Sequence, residues 1–320
     1  MTHINPRLLD VGEEHLNALA PLRGYAEEPL LSLKDAIVKL RKLLDDVDAR
    51  VWTATSRCKS PADKLTQDES AAIVLYTMEW DPSHPSLYSV LNRTLRLEDR
   101  RKLVPWFPYL KLVFTALFKL PSTRCTVWRG VRGDLRSHYQ QGDNVTWWAF
   151  SSCTTTINVL ETDQYLGTSG PRTLFAIDCL NGKDIKRHSY FVQEEEILLL
   201  PCTHFQVISH LSSMENLYII HLREIPPPFM FLEPPNRESA ALKMINIVTD
   251  EHRFKDKTNI RLADLSIEII IIIRHSNDRS LSYSSLLDRN APLVESVPSE
   301  QQIDIHLNQI ASAAPIITSD

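Results

Sequence analysis

Glycine is scarce in this chain, with 8 among 320 residues, and those few supply neither a GxGxxG turn nor a P-loop. A nucleotide bound here has to be held by something other than the backbone N–H groups of a glycine turn opening a helix. Cysteine is sparse as well: Cys58, Cys125, Cys153, Cys179 and Cys202 are scattered, odd in number and without a CxxC pair. That pattern argues against a disulfide framework and a zinc site, and it suits a reducing compartment. The eleven histidines include no HExxH or comparable ligand spacing, so no structural or catalytic metal is expected. Basic charge is not in excess either. Lys and Arg number 35 against 40 Asp and Glu, for a net charge of −5 and a pI near 6.1. No global field exists to hold a nucleic-acid backbone or an anionic membrane, and neither is expected as a partner. The opening MTHINPRLLD has no apolar core of the kind a secretory signal needs, and the apolar run from Ile267 to Ile273 is short and contains Glu268. It falls well below the ~20 apolar residues of a membrane helix, so the expected location is cytoplasmic. No internal repeat is found.

What is present suffices for a sizeable core, since 43% of residues are hydrophobic and 23% charged. Apolar residues in the first half recur at helical spacing. Ser32 caps an expected helix over Leu33 to Leu44, in which Leu33, Ile37, Leu40 and Leu44 form one stripe. Thr66 and Glu69 have capping-box spacing ahead of a helix running to about Glu79. Leu87, Leu91 and Leu95 line another, and Tyr109 to Leu120 makes a further one that Pro121 stops. After Pro121 the pattern changes to short β-branched and aromatic runs. Strands are expected over Cys125–Arg129, Val145–Ser151, Thr173–Cys179, Glu196–Leu200, Phe205–His210 and Leu217–Leu222. Helices followed by strands indicate an α+β fold rather than an alternating parallel sheet. Residues 1–65 are read as a helical extension, 66–228 as the main domain, 229–275 as an accessory segment containing a helix over Ala240–Val248, and the Ser-rich 276–320 as a disordered tail.

The stretch around which the strand half is organised is Gln193 to Pro201, QEEEILLLP. Three carboxylates run into four apolar residues, the pattern of a buried strand whose first residues emerge from the core. With a period of two, Glu194, Glu196 and Leu198 share one face while Glu195 and Ile197 share the other. Like charges beside a low-dielectric core call for a cation, a hydrogen bond or a substrate to compensate them. A solvated acidic strand edge answers the same pattern.

Two other segments stand beside this one: Val127-Trp128-Arg129-Gly130, a strand ending in Arg then Gly, and Phe150-Ser151-Ser152-Cys153-Thr154. In order and spacing the three resemble the Arg, Ser and Glu-x-Glu motifs of the arginine-specific mono-ADP-ribosyltransferases and the bacterial toxins that share their fold. Ser152 to Thr154 reads as the Ser-Thr-Ser motif of that family with Cys153 in place of the middle threonine. The resemblance implies a two-sheet β core preceded by helices, NAD as co-substrate with NADP as an alternative, and a target protein with an exposed arginine. It also implies site roles. Arg129 is the expected clamp on the pyrophosphate, since a guanidinium fork meets two phosphate oxygens at once. Gly130, lacking a Cβ, lets its backbone approach the nicotinamide amide. Ser152 holds the nicotinamide-side ribose or orients Glu196. Glu196 stabilises the positive charge that develops on the ribose as nicotinamide leaves. Glu194 receives the incoming guanidinium and helps remove its proton. Tyr165 occupies the place of an aromatic that stacks on nicotinamide, Arg172 is a further candidate for phosphate, and Tyr190 and Phe191 resemble the aromatic turn that meets the protein substrate. NAD hydrolysis, with water in place of arginine, and a non-catalytic NAD-binding or interaction module are the alternatives. For the chemistry to work, Glu196, Arg129 and Ser152 must come together although more than sixty residues separate the outer two.

Overall fold

The computed structural model describes residues 18–81, 84–156, 166, 170–193, 195–214 and 216–236. The expected helix over Ala240–Val248, the Ile267–Ile273 run and the Ser-rich tail lie outside these. The chain has the α+β organisation expected of it. Helices α1 (Leu33–Ala36), α2 (Val47–Arg57), α3 (Gln67–Thr77), α4 (Leu87–Leu95) and α5 (Phe107–Lys119) precede seven strands, β1 (Ser122–Arg132), β2 (Asn144–Trp147), β3 (Ser151–Thr154), β4 (Arg172–Asp184), β5 (Glu196–Leu199), β6 (Thr203–Met214) and β7 (Leu217–Glu224).

Local chemistry explains most helix starts. The Ser32 hydroxyl accepts from the Asp35 N–H at the head of α1. Thr66 and Glu69 form the capping box of α3: the Glu69 N–H donates to Thr66 Oγ1 at 3.2 Å and the Thr66 N–H to Glu69 Oε2 at 2.8 Å. Glu69 is buried, and Lys119 at the end of α5 donates to its Oε1 at 2.6 Å, so the cap also ties α3 to α5. The expected single helix over Leu33–Leu44 is instead α1 followed by a 3-10 turn over Val38–Lys42. Its four stripe residues are nonetheless all buried. Helix α2 was not anticipated, because only Val47, Val51 and Ala54 of its eleven residues are buried.

Two large apolar clusters and a small one of Leu166 and Leu174 lie among the described residues. The first joins the helices to residues 19–44, to Trp148, Ala149 and Phe150, and to Leu198 and Leu200. The second lies among the strands and contains Val127, Val131, Trp147, Cys153, Phe175, Ile197, Leu199 and Phe205. Strand β5 separates them: Leu198 belongs to the helical cluster, Ile197 and Leu199 to the other. This is the alternation expected of a strand buried on both faces.

The strands are joined in the order β1-β3-β5-β4-β7-β6-β2, with β1 also pairing β4. Pairing is antiparallel apart from β4 with β7. The expected strand Val145–Ser151 is split. Strand β2 pairs β6 at one end of the order, while β3 pairs β5 and touches β1 near the other. Residues 148–150 leave the strands between them and pack against the helices. At the far end of β4, Lys183 and Asp184 turn to pair Leu198 and Ile197. Gly182 permits that crossing, since a Cβ there would sit 2.6 Å from Ile197 Cγ2.

Beyond Pro228 the chain runs back along the helical body. Leu232 bridges Leu22, the Leu22 N–H donates to the Phe231 carbonyl at 2.7 Å, and the Gly24 N–H donates to Glu233 at 2.7 Å. Lys111 donates to the carbonyls of Ala26 and Pro235. Phe231 and Leu232 are buried in the same cluster as Leu19, Leu22 and Tyr25, so the two ends of the described chain close over one core.

Candidate active site

The three motifs converge through strand pairing. Ser152 on β3 stands opposite Leu198 on β5, and Thr154 stands opposite Glu196. Ser152 and Glu196 are therefore diagonal neighbours on one face, roughly 7–8 Å apart between Cα atoms. Thr154 is also the register partner of Trp128 on β1. The next residue, Arg129, donates through Nη1 to the Ser152 carbonyl at 2.6 Å. Relative exposures are 3% for Arg129, 1% for Ser152 and 2% for Glu196. Ser152 and Glu196 thus share one buried face, while Arg129, buried on the strand-cluster side of β1 near Cys153, reaches Ser152 at its carbonyl. Arg129 lies on the side of β1 shared by Val127 and Val131, so its guanidinium meets β3 at the backbone rather than at the Ser152 hydroxyl.

That hydroxyl is the unusual atom. Ser152 Oγ is buried and has no hydrogen-bond partner among the described residues. Burying a hydroxyl unpaired is unfavourable by about 1–3 kcal/mol. The expected fate of a structural serine, a bond to its own backbone, is not what is seen.

The neighbouring residues show how the acids are sorted. Glu195 is exposed and accepts from Lys186 Nζ at 3.2 Å, Thr156 Oγ1 at 3.1 Å and Thr155 Oγ1 at 3.3 Å. The bond from Lys186, with those from the two threonines, holds its carboxyl below the usual range. This is the compensating cation that the run of acids called for, and it serves the middle residue. Sequence reasoning missed Lys186, Thr155 and Thr156, for which two adjacent threonines after the Ser-Cys-Thr motif were the available signal. Glu196 begins β5, and the Ile185 N–H donates to its carbonyl at 3.2 Å. Glu194 lies outside the described residues, as does Tyr165.

Cys153 points the other way from Ser152, into the strand cluster, and burial pushes its thiol up to about 12 despite the nearby Arg129. The replacement of threonine by cysteine thus falls on the apolar side. Gly130 faces Leu166, whose Cδ1 would stand 2.8 Å from an added Cβ, so a side chain here would require the leucine to shift. Arg172 is buried at the start of β4, its Nη1 donating to the Gly170 carbonyl at 3.4 Å. Tyr190 and Phe191 are half-buried with ring centroids 5.0 Å apart, and Val192 after them is exposed. All five cysteines are free thiols. Among the described residues no cluster of His, Cys, Asp or Glu is arranged to hold a metal, and no helix is long and apolar enough to cross a membrane.

Comparison with known proteins agrees with the family resemblance. The family model of NAD:arginine ADP-ribosyltransferases matches residues 28–226. The erythroblast NAD(P)(+)–arginine ADP-ribosyltransferase of Gallus gallus is 33% identical over 152 residues, which are 45% of this chain and 47% of that protein. The chain spans about half the length of this relative. Among solved structures, the ADP-ribosyltransferase Vis of Vibrio splendidus in complex with agmatine is 21% identical with a TM-score of 0.42, over 64% of this chain and 92% of that one. The ADP-ribosyltransferase HopU1 of Pseudomonas syringae is 24% identical with a TM-score of 0.44, over 61% and 88%. With the family model matched across most of the chain, from just before α1 to just past β7, this protein belongs to the NAD:arginine ADP-ribosyltransferase family.

Proposed function

We propose that this protein transfers ADP-ribose from NAD to an arginine side chain of a protein, releasing nicotinamide. The observation that carries this reading is the buried Ser152 hydroxyl, unpartnered among the described residues, on the same face as Glu196 and in a residue whose carbonyl is held by Arg129. A ribose hydroxyl supplies the partner that Ser152 lacks. The residues fit the co-substrate in kind: a rigid cation for a pyrophosphate, a hydroxyl and a carboxylate for a ribose.

In this reading the glycosidic bond breaks with its electron pair going to the nicotinamide ring nitrogen, which loses its positive charge. Positive charge develops on the ribose, and the Glu196 carboxylate stabilises it in a site from which water is largely excluded. A guanidinium nitrogen of the acceptor then bonds to the anomeric carbon and gives up a proton, for which Glu194 is the assigned acceptor. Arg129 both ties β1 to β3 and holds the pyrophosphate by its fork of donors. Gly130 and Tyr165 are assigned to the nicotinamide. NADP would occupy the same residues with one more phosphate. Five free thiols suit a cytoplasmic setting.

The test is incubation of the purified chain with labelled NAD, with and without agmatine as an arginine analogue. ADP-ribosyl-agmatine formed in proportion to nicotinamide released supports the transferase. Nicotinamide release indifferent to agmatine makes it a glycohydrolase, and NAD binding without turnover makes it a binding module.

A further inference from the structure

The segment between β4 and β5 begins deep and ends exposed. Ile185, His188 and Ser189 are buried, Tyr190 and Phe191 half-buried, and Val192 and Gln193 exposed, one residue before Glu194. Its deep end is rooted in the helices. His188 Nδ1 is 2.9 Å from Ser70 Oγ on α3, and its Nε2 is 3.1 Å from Asp63 Oδ2. Both ring nitrogens are thus within hydrogen-bond distance of residues more than a hundred positions away. Asp63 also accepts from Arg187 at 3.0 Å. One step further on, the Tyr190 N–H donates to Thr77 Oγ1 at 2.8 Å at the end of α3. Arg57, at the end of α2, donates to the Tyr190 carbonyl at 3.2 Å, with its guanidinium 4.2 Å from that ring's centroid.

We propose that His188 and Arg57 are positioning residues that hold this turn so that an arginine acceptor is presented to the site, and that they govern transfer rather than NAD cleavage. The inference rests on the transferase reading above. Its selectivity follows from how Glu196 and the segment preceding Glu194 in sequence are held. Glu196 is fixed by pairing with Thr154 and by the Ile185 N–H, and neither contact uses the His188 side chain. Glu194 comes next in sequence after the exposed Gln193, and the segment leading to it is anchored at His188 and Tyr190. Displacing an acceptor by about 1 Å is enough to cost roughly a hundredfold in rate. The carboxylate beside the ribose stays where it was.

The experiment compares the full chain with His188→Leu, His188→Gln and Arg57→Ala, measuring agmatine transfer and NAD hydrolysis together with the KM for each substrate. His188→Leu fills the same space without either hydrogen bond, His188→Gln keeps one polar contact, and Arg57 is exposed, so its loss leaves folding intact. His188→Leu and Arg57→Ala are expected to raise the agmatine KM and to lower the ratio of transfer to hydrolysis by about tenfold, with the NAD KM and hydrolysis rate within about twofold of wild type. His188→Gln recovers part of the ratio. A wild-type ratio in both His188→Leu and Arg57→Ala, or an equal loss of transfer and hydrolysis in folded variants, overturns the assignment. Should His188→Leu fail to fold, Arg57→Ala decides alone. An unsubstituted chain that neither transfers nor hydrolyses overturns the underlying transferase reading instead.

Discussion

Replacing Ser152 by alanine separates a site hydroxyl from a structural one, because the two make opposite demands on stability. Ser152 Oγ is buried without a partner among the described residues, so removing it relieves a desolvation penalty of about 1–3 kcal/mol. The void left by one oxygen is smaller than a methyl group and costs less than about 1 kcal/mol. Backbone pairing at this position, with Leu198 opposite and Arg129 on the carbonyl, does not involve the side chain. Ser152→Ala is therefore expected to be as stable as wild type or more so by about 1 kcal/mol, a rise in Tm of roughly 2–4 °C for a body of this size. Activity should move the other way. Loss of one hydrogen bond to the ribose removes about 1–2 kcal/mol of transition-state stabilisation, or roughly 5- to 30-fold in kcat/KM. The assays are thermal unfolding followed by circular dichroism and agmatine-dependent nicotinamide release. A variant destabilised by more than about 1 kcal/mol, or one with undiminished kcat/KM, would refute the assignment of this hydroxyl to the substrate.

Glu196→Gln keeps shape and packing but removes the charge, so NAD affinity should stay near wild type while transfer and hydrolysis both fall by about 10²–10³-fold, as for loss of one preorganised electrostatic contact; full turnover would mean that the catalytic acid lies elsewhere. Glu194→Gln should lose transfer yet keep hydrolysis, and equal loss of both contradicts the division between the two acids. A chain begun at Thr66 is expected not to fold, because Leu22, Tyr25, Leu33, Leu40 and Ala54 share one cluster with α3 and α5; a cooperative thermal transition in that fragment would show otherwise. Cys153 and Cys179 are pushed up to about 12, so in the folded protein at pH 8 both remain thiols and resist iodoacetamide. Rapid labelling of either, read by mass spectrometry, counts against the buried placement.

The positions of α3, α4 and α5, the capping box at Thr66 and Glu69, the alternation along β5 and the order of the three motifs were legible in the sequence, because each depends on a period or spacing of a few residues. What the tertiary structure alone decided is how distant segments meet. Nothing local to Val145–Ser151 says that its first three residues join β6 while Ser151 starts another strand beside β5, since the choice is made by partners on β5 and β6. Helix α2 carries too narrow an apolar face to announce itself. His188 gives no local sign that it bridges Ser70 and Asp63, which lie 118 and 125 residues earlier. The composition of the chain named the chemical groups, and long-range pairing determined which hydroxyl was left buried, unpartnered among the described residues, beside an acid.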